Sequence, residues 1–128
     1  MKKKQIILNK EEINNKIHRI SFSLIEEYFE EKEITIIGFD TNGYTIGKKI
    51  KEIIESNHKI KINIYNIKQK TNNQYEISPK IKNQNLKNVF LVDDVLKSGK
   101  TIMYGIKKIL EYPVKKLKTI ILVNRNHN

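Results

Sequence analysis

Apolar residues first recur along the chain at spacings of three and four, at Ile13, Ile17, Ile20, Leu24 and Ile25. That rhythm lines one face of a helix. It predicts a helix from Lys10 to Glu31, with Asn9 as N-cap and an acidic run, Glu26 to Glu33, at its exposed end. "ITIIGF" then reads as a short buried strand, broken by "DTNG". Ile46, Ile50, Ile53 and Ile54 mark a second helix that ends near Ser56 and Asn57. "KIKINIYNI" alternates polar and apolar residues, the period of a strand with one buried face. "KQKTNNQYEISPKIKNQNLKN" is polar, lacks helical rhythm and holds Pro79. It is expected to be a long mobile loop with room for a short hairpin, and loops of that length are often functional. "VFLVD" is an apolar strand. A helix should run from Gly99 to about Glu111, with Ile102, Ile106, Ile109 and Leu110 inward, until Pro113 stops it. "KTIILV" is the last strand, and the chain closes on "NRNHN".

Strands alternate with helices, and the strands are apolar on both faces. This predicts an α/β fold: a parallel twisted sheet flanked by helices, with right-handed crossovers. The length, 128 residues, suits one domain over 1–128. No internal repeat or domain boundary is visible. No apolar run approaches the ~20 residues of a membrane span. The apolar stretch behind the basic start, Ile6 to Leu8, is too short for a signal-peptide core, so a cytoplasmic protein is expected. The absence of cysteine excludes disulfides, thiol nucleophiles and thiolate metal sites. His18, His58 and His127 show no metal-ligand spacing and read as ordinary surface histidines.

The formal charge of +11 is carried by 23 lysines against two arginines, Arg19 and Arg125. Ile, Lys and Asn together make 62 of 128 residues, with no alanine, and all three have AT-rich codons. Genome composition therefore explains part of the basicity. A basic surface favours phosphates or nucleic acid, but no block of lysines is interleaved with aromatics. A solvated lysine-rich face is the preferred reading, and any RNA binding is expected to be electrostatic and not sequence-specific.

The chemistry lies in "VFLVDDVLKSGKTI". Asp93 and Asp94 end an apolar strand, and Ser98 to Thr101 open the next helix. Ligands of open parallel sheets bind beyond the carboxyl ends of the strands, and a helix start favours an anion. Two acceptors beside an anion cradle suit a sugar phosphate. A nucleotide P-loop would need a glycine five residues before Gly99, where Asp94 stands. No G-x-G-x-x-G supports a dinucleotide site.

"VFLVDDVLKSGKT" resembles the thirteen-residue phosphoribosyl pyrophosphate (PRPP) motif of type I phosphoribosyltransferases. "KQIILNKEEINNKIHRISFSLIEE", "ITIIGFDTNGYTIGKKI" and "TIILVNRNH" resemble the matching parts of the bifunctional pyrimidine-operon attenuator and uracil phosphoribosyltransferase group. The likeness spans nearly the whole chain and is weakest from Lys68 to Lys87. It implies an enzyme that joins the ribose-phosphate of PRPP to a nucleobase, a pyrimidine, and expels pyrophosphate with Mg²⁺. It assigns Asp93 and Asp94 to the ribose hydroxyls, directly or through Mg²⁺ and water. Lys97, Ser98, Gly99, Lys100 and Thr101 would hold the 5′-phosphate. Asp40 to Gly43 resembles the pyrophosphate loop, with Thr41, Asn42 and Gly43 as contacts and, as often in the family, a non-proline cis peptide. Tyr65 to Ser78 corresponds to a mobile loop that closes over the reacting centre.

Several positions depart from the family's pattern. Close members place a basic residue in the pyrophosphate loop, whereas Asp40-Thr41-Asn42-Gly43 has one anion and no cation. Asn66 follows the tyrosine where active relatives often carry arginine, with Lys68 or Lys70 as substitutes. Lys97 stands where 6-oxopurine enzymes carry an aspartate, which argues against purines. The family's hood, built from residues beyond "NRNH", has no counterpart before Asn128. Two readings follow: a PRPP-dependent transferase, or a PRPP- or nucleotide-sensing regulatory module with little catalysis, RNA-binding in its attenuator relatives. An edge or apolar face near "KTIILV" is expected to be left open, and exposed edges and patches invite association. The sequence therefore predicts a homo-oligomer, most simply a twofold dimer. Light scattering across micromolar concentrations should show the dimer mass, and a monomer throughout would show that the chain covers its own edge.

Overall fold

The computed structural model describes residues 9–82, 86–96 and 99–124. Helix α1, Lys10–Glu27, starts at a capping box. Glu12 N–H donates to Asn9 Oδ1 at 2.8 Å, and Asn9 N–H donates to Glu12 Oε1 at 2.9 Å. The helix stops four residues short of the expected Glu31. Its last turn carries acids and no base, the unfavourable charge for a helix C-terminus. Glu27 of that turn meets Lys118 at 3.2 Å, and Glu31, beyond the helix, meets Lys87 at 3.1 Å. Tyr28, the C-cap, packs edge-on against Phe90 with ring centroids 5.4 Å apart.

Strand β1, Glu33–Phe39, passes directly into helix α2, Asp40–Asn57, so "DTNG" forms the first turn of α2 and not a loop. Strand β2, Lys61–Thr71, is longer than expected and turns back into β3, Gln74–Ser78. Strand β4 is Asn88–Leu96, helix α3 is Gly99–Ile109 and strand β5 is Lys116–Asn124. The sheet order is β3-β2-β1-β4-β5. Four strands run parallel, and β3 joins as an antiparallel edge. Among the described residues no helix is long and apolar enough to cross a membrane.

Alternation along the strands builds two cores. Ile34, Ile36, Ile62, Phe90, Val92 and Leu122 face Ile17 and Leu24 of α1 and Ile46, Ile50 and Ile54 of α2. Ile37, Phe39, Ile67, Ile77 and Leu91 face Ile109 of α3. Each buried aliphatic side chain contributes ~1.5–3 kcal/mol, so the central strands hold the sheet.

β3 pairs with β2 only from Asn66 onward, which leaves the start of β2 with one strand neighbour. Side chains of α2 stand in for the missing strand. Ile62 N–H donates to Glu55 Oε2 at 2.8 Å, and Ile62 O accepts from Lys51 Nζ at 2.9 Å. Lys51 and Glu55 also pair at 2.9 Å. Burial opposes the Glu55 charge, but the Ile62 N–H and the Lys51 ammonium outweigh it and lower its pKa. A lowered carboxylate pKa gives stability that is full above the ordinary value and lost as pH falls through the folded value. Glu55→Ala should therefore cost about 1 kcal/mol at neutral pH, discounted for a partly exposed pair. Urea unfolding should show the difference shrinking in acid, and a cost unchanged by pH would mean the ionic contact contributes nothing.

Candidate functional site

The strand order reverses between β1 and β4: β2 and β3 lie on one side, β5 on the other. Such a switch point opens a crevice at the carboxyl ends of the two strands. The last paired residues of β1 and β4 are Gly38 and Val92. Just beyond them the chain places Asp40 to Gly43 on one side and Asp93 and Asp94 on the other.

Two glycines allow the close approach. A Cβ on Gly43 would lie 2.2 Å from Val92 O and 3.3 Å from Asp93 Cα. A Cβ on Gly38 would lie 2.3 Å from Tyr44 Cα. The first turn of α2 thus rests on bare backbone of β1 and β4. Asn42 Nδ2 then donates to Asp94 Oδ2 at 2.9 Å, bridging positions 52 residues apart in sequence. Asp93 Oδ1 accepts from Asp94 N–H and Asp94 Oδ1 from Val95 N–H, both at 2.8 Å. These bonds fix the two carboxylates, which are half-buried. The strand continues through them to Leu96, pairing Asp93 with Ile121, so the acids sit within β4 and not at its end.

Gly99, Lys100 and Thr101 form the exposed first turn of α3. A Cβ on Gly99 would meet nothing within 4 Å. Lys97 and Ser98 lie outside the described residues. Thr41 and Asn42 are exposed and Gly43 is buried.

The expected cis peptide in the 40–43 turn is absent. Among the described residues the cis bond is Ser78-Pro79. The turn is made instead by Asp40 in the left-handed region, at φ 58°. A non-glycine residue there is uncommon and needs support from its surroundings. Asn66 of β2 supplies it: its Nδ2 donates to Gly38 O at 3.0 Å and to Asp40 O at 2.8 Å. Asn66 is thus a clamp on the β1–α2 junction, a role the sequence reading missed. An asparagine within a strand, where the residue is depleted, was the available signal.

The expected mobile loop from Tyr65 to Ser78 is a ladder. Asn66 opposes Ser78, Ile67 opposes Ile77 and Gln69 opposes Tyr75, with an irregularity between Gln69 and Thr71. Asn73 turns the chain at φ 57°, a conformation asparagine tolerates. Tyr75 lies 5.8 Å from Phe39 and stacks on Tyr104 of α3 at 6.1 Å, so the hairpin is fastened beside the crevice. Burial pushes the Tyr75 hydroxyl above its ordinary pKa, and the charge of Asp40 adds to the shift, as does Tyr104.

The switch point between β1 and β4 thus brings the acid pair and the 40–43 turn together at one crevice. The family model for the phosphoribosyl transferase domain matches residues 4–128. The chain belongs to that family. It is 28% identical to the bifunctional protein PyrR of Clostridium kluyveri over 99% of this chain and 77% of the relative. It is 27% identical to the bifunctional protein PyrR of Bacillus subtilis over the same shares, 99% and 77%. These relatives fall in the group that the sequence resembles. Among solved structures, a hypoxanthine-guanine phosphoribosyltransferase of Bacillus anthracis superposes with a TM-score of 0.72 at 19% identity, over 96% of this chain and 72% of that one. That likeness is one of fold.

The seating of α2 on β4 is directly testable. Gly43→Ala should lower stability by about 1–3 kcal/mol, the range for forced overpacking. Gly99→Ala, in open space, should stay within about 0.5 kcal/mol. Thermal unfolding of both variants checks the contrast, and equal stabilities would show that α2 does not rest on β4 as described.

Proposed function

We propose that the chain binds PRPP in the crevice between β1 and β4 and transfers its ribose-phosphate to a nucleobase, a pyrimidine, with release of pyrophosphate. One observation carries this reading. The Asn42–Asp94 bond, with Gly43 seated on β4, joins the first turn of α2 to the acid pair of β4, 52 residues away in sequence. The family resemblance supplies the roles. Asp93 and Asp94 take the ribose hydroxyls, Lys97, Ser98, Gly99, Lys100 and Thr101 hold the 5′-phosphate, and Thr41, Asn42 and Gly43 face the pyrophosphate. In the transfer the C1–oxygen bond to pyrophosphate breaks and a C1–nitrogen bond to the base forms. Positive charge develops at C1, and two fixed carboxylates beside it favour that charge.

The donor set suits magnesium. Mg²⁺ usually keeps several waters and takes one or two carboxylates together with substrate phosphates. Asp93 and Asp94 offer that arrangement, and among the described residues no group of three acidic or histidine side chains forms a protein cage. Mg²⁺ held by Asp93 and Asp94 would neutralise phosphate charge.

A second reading has a specific observation behind it. The 40–43 turn carries Asp40 and no cation, and the Asn42 amide is engaged by Asp94. Loss of a charge-assisted partner for the leaving group favours slow transfer, and hence a regulatory module that senses PRPP or nucleotide. A twofold dimer and electrostatic RNA contact belong to either reading. They are supported by the single-neighbour edge strand β5 and by the charge of +11.

Calorimetry with ribose 5-phosphate and with PRPP, each with Mg²⁺, tests the site. Asp94→Asn should weaken both ligands by about tenfold, or ~1.4 kcal/mol, and equal binding by the variant and the unaltered protein would remove the assignment. Pyrophosphate release from PRPP and uracil should stay far below an ordinary turnover of about 10 s⁻¹. Reaching that rate would exclude the sensing reading.

A further inference from the structure

We propose that Asp40 makes the crevice select 5-phosphoribosyl compounds that carry no pyrophosphate on C1, such as ribose 5-phosphate or a nucleoside 5′-monophosphate, over PRPP. The inference rests on the assignment of Asp93, Asp94 and the start of α3 to the ribose and its 5′-phosphate. With those groups so placed, the other end of the sugar faces the first turn of α2, because Asn42 and Gly43 touch Asp94 and the Asp93 backbone there.

The charge of that turn is fixed by its backbone. Asp40 is exposed and held at φ 58°, and Asn66 Nδ2 pins the carbonyls on both sides of Phe39, those of Gly38 and Asp40. The turn therefore has little freedom to swing the Asp40 Cβ elsewhere. Tyr75 of the hairpin lies 5.8 Å from Phe39, the residue before Asp40, and stacks on Tyr104 of α3. Asp40 thus sits where α2, the hairpin and the crevice meet. No cationic side chain in the turn offsets it. Thr41 is neutral, Asn42 Nδ2 donates to Asp94, and the first lysine of α2, Lys48, lies over the Tyr44 ring at 4.7 Å. A diphosphate brought to this turn would meet an exposed carboxylate of like charge. A hydroxyl or a neutral base on C1 meets no such repulsion. Selection by a misplaced like charge is a common route to specificity.

Asp40→Asn isolates the effect. Asparagine adopts the left-handed conformation as readily as aspartate, so the turn keeps its shape while its charge is removed. Binding of ribose 5-phosphate, uridine 5′-monophosphate and PRPP, each with Mg²⁺, would be measured by calorimetry on both proteins. The unaltered protein should bind ribose 5-phosphate or the nucleotide at least about tenfold more tightly than PRPP. Asp40→Asn should strengthen PRPP by about tenfold and change ribose 5-phosphate by less than about twofold. PRPP binding as tightly as ribose 5-phosphate to the unaltered protein, or an equal shift of both ligands in Asp40→Asn, overturns the selectivity while leaving the site intact. Failure of all three ligands to bind removes the site assignment itself, and the selectivity with it.

Discussion

The first turn of α2 lies so close to β1 and β4 that no side chain fits between them, and the functional geometry depends on that contact. Gly38 and Gly43 clear the space, with imaginary Cβ atoms 2.3 and 2.2 Å from neighbouring backbone. Only such an approach lets a short side chain, Asn42, reach Asp94. The parallel sheet makes the approach productive. Because β1 and β4 are adjacent and their connections leave in opposite directions, the first turn of α2 and the acid pair of β4 meet at the same crevice. Asn66 adds the third support, from β2, by holding the left-handed Asp40. Three neighbouring strands therefore fix one turn, which is how a locally unfavourable conformation persists.

The strongly periodic parts of this fold were legible in the sequence. Ile13, Ile17, Ile20 and Leu24 specified α1 and its inward face, and "ITIIGF" and "VFLVD" specified the central strands. Boundaries were less legible because tertiary partners set them. The expected end of α1 at Glu31 ignored Lys87 and Lys118, which draw the acids away from the helix. The stretch Lys68 to Ser78 looked like a loop because its outward residues are polar. Its inward residues, Tyr75 and Ile77, find partners on β1, β2 and α3 only once the chain is folded. Asp93, Asp94 and the helix start at Gly99 were readable as a group, since they are contiguous. The link from Asn42 to Asp94 was not, since it spans 52 residues, and neither was the left-handed turn that replaces the expected cis peptide.

The high lysine content takes on a different meaning in the folded chain. Several lysines bind the protein to itself. Lys16 donates to Leu122 O on the edge strand β5 at 2.7 Å, and Lys51 does the same for Ile62 O on β2 at 2.9 Å. A long cationic side chain serves well there, because it reaches an open carbonyl while keeping its stem on the apolar surface. Lys87 and Lys118 tie the acidic tail of α1 to the strands below it. Such surface pairs contribute little individually, yet they commit these lysines to positions along the sheet edges. A formal charge of +11 therefore overstates what is available to an anionic partner. The crevice sharpens the point, for it gathers Asp40 and Asn42 from α2 and Asp93 and Asp94 from β4. A basic chain thus carries a local cluster of carboxylates. In the proposed site, bulk charge would govern how fast phosphates approach, while Asp40, Asp93 and Asp94 would govern which of them stay.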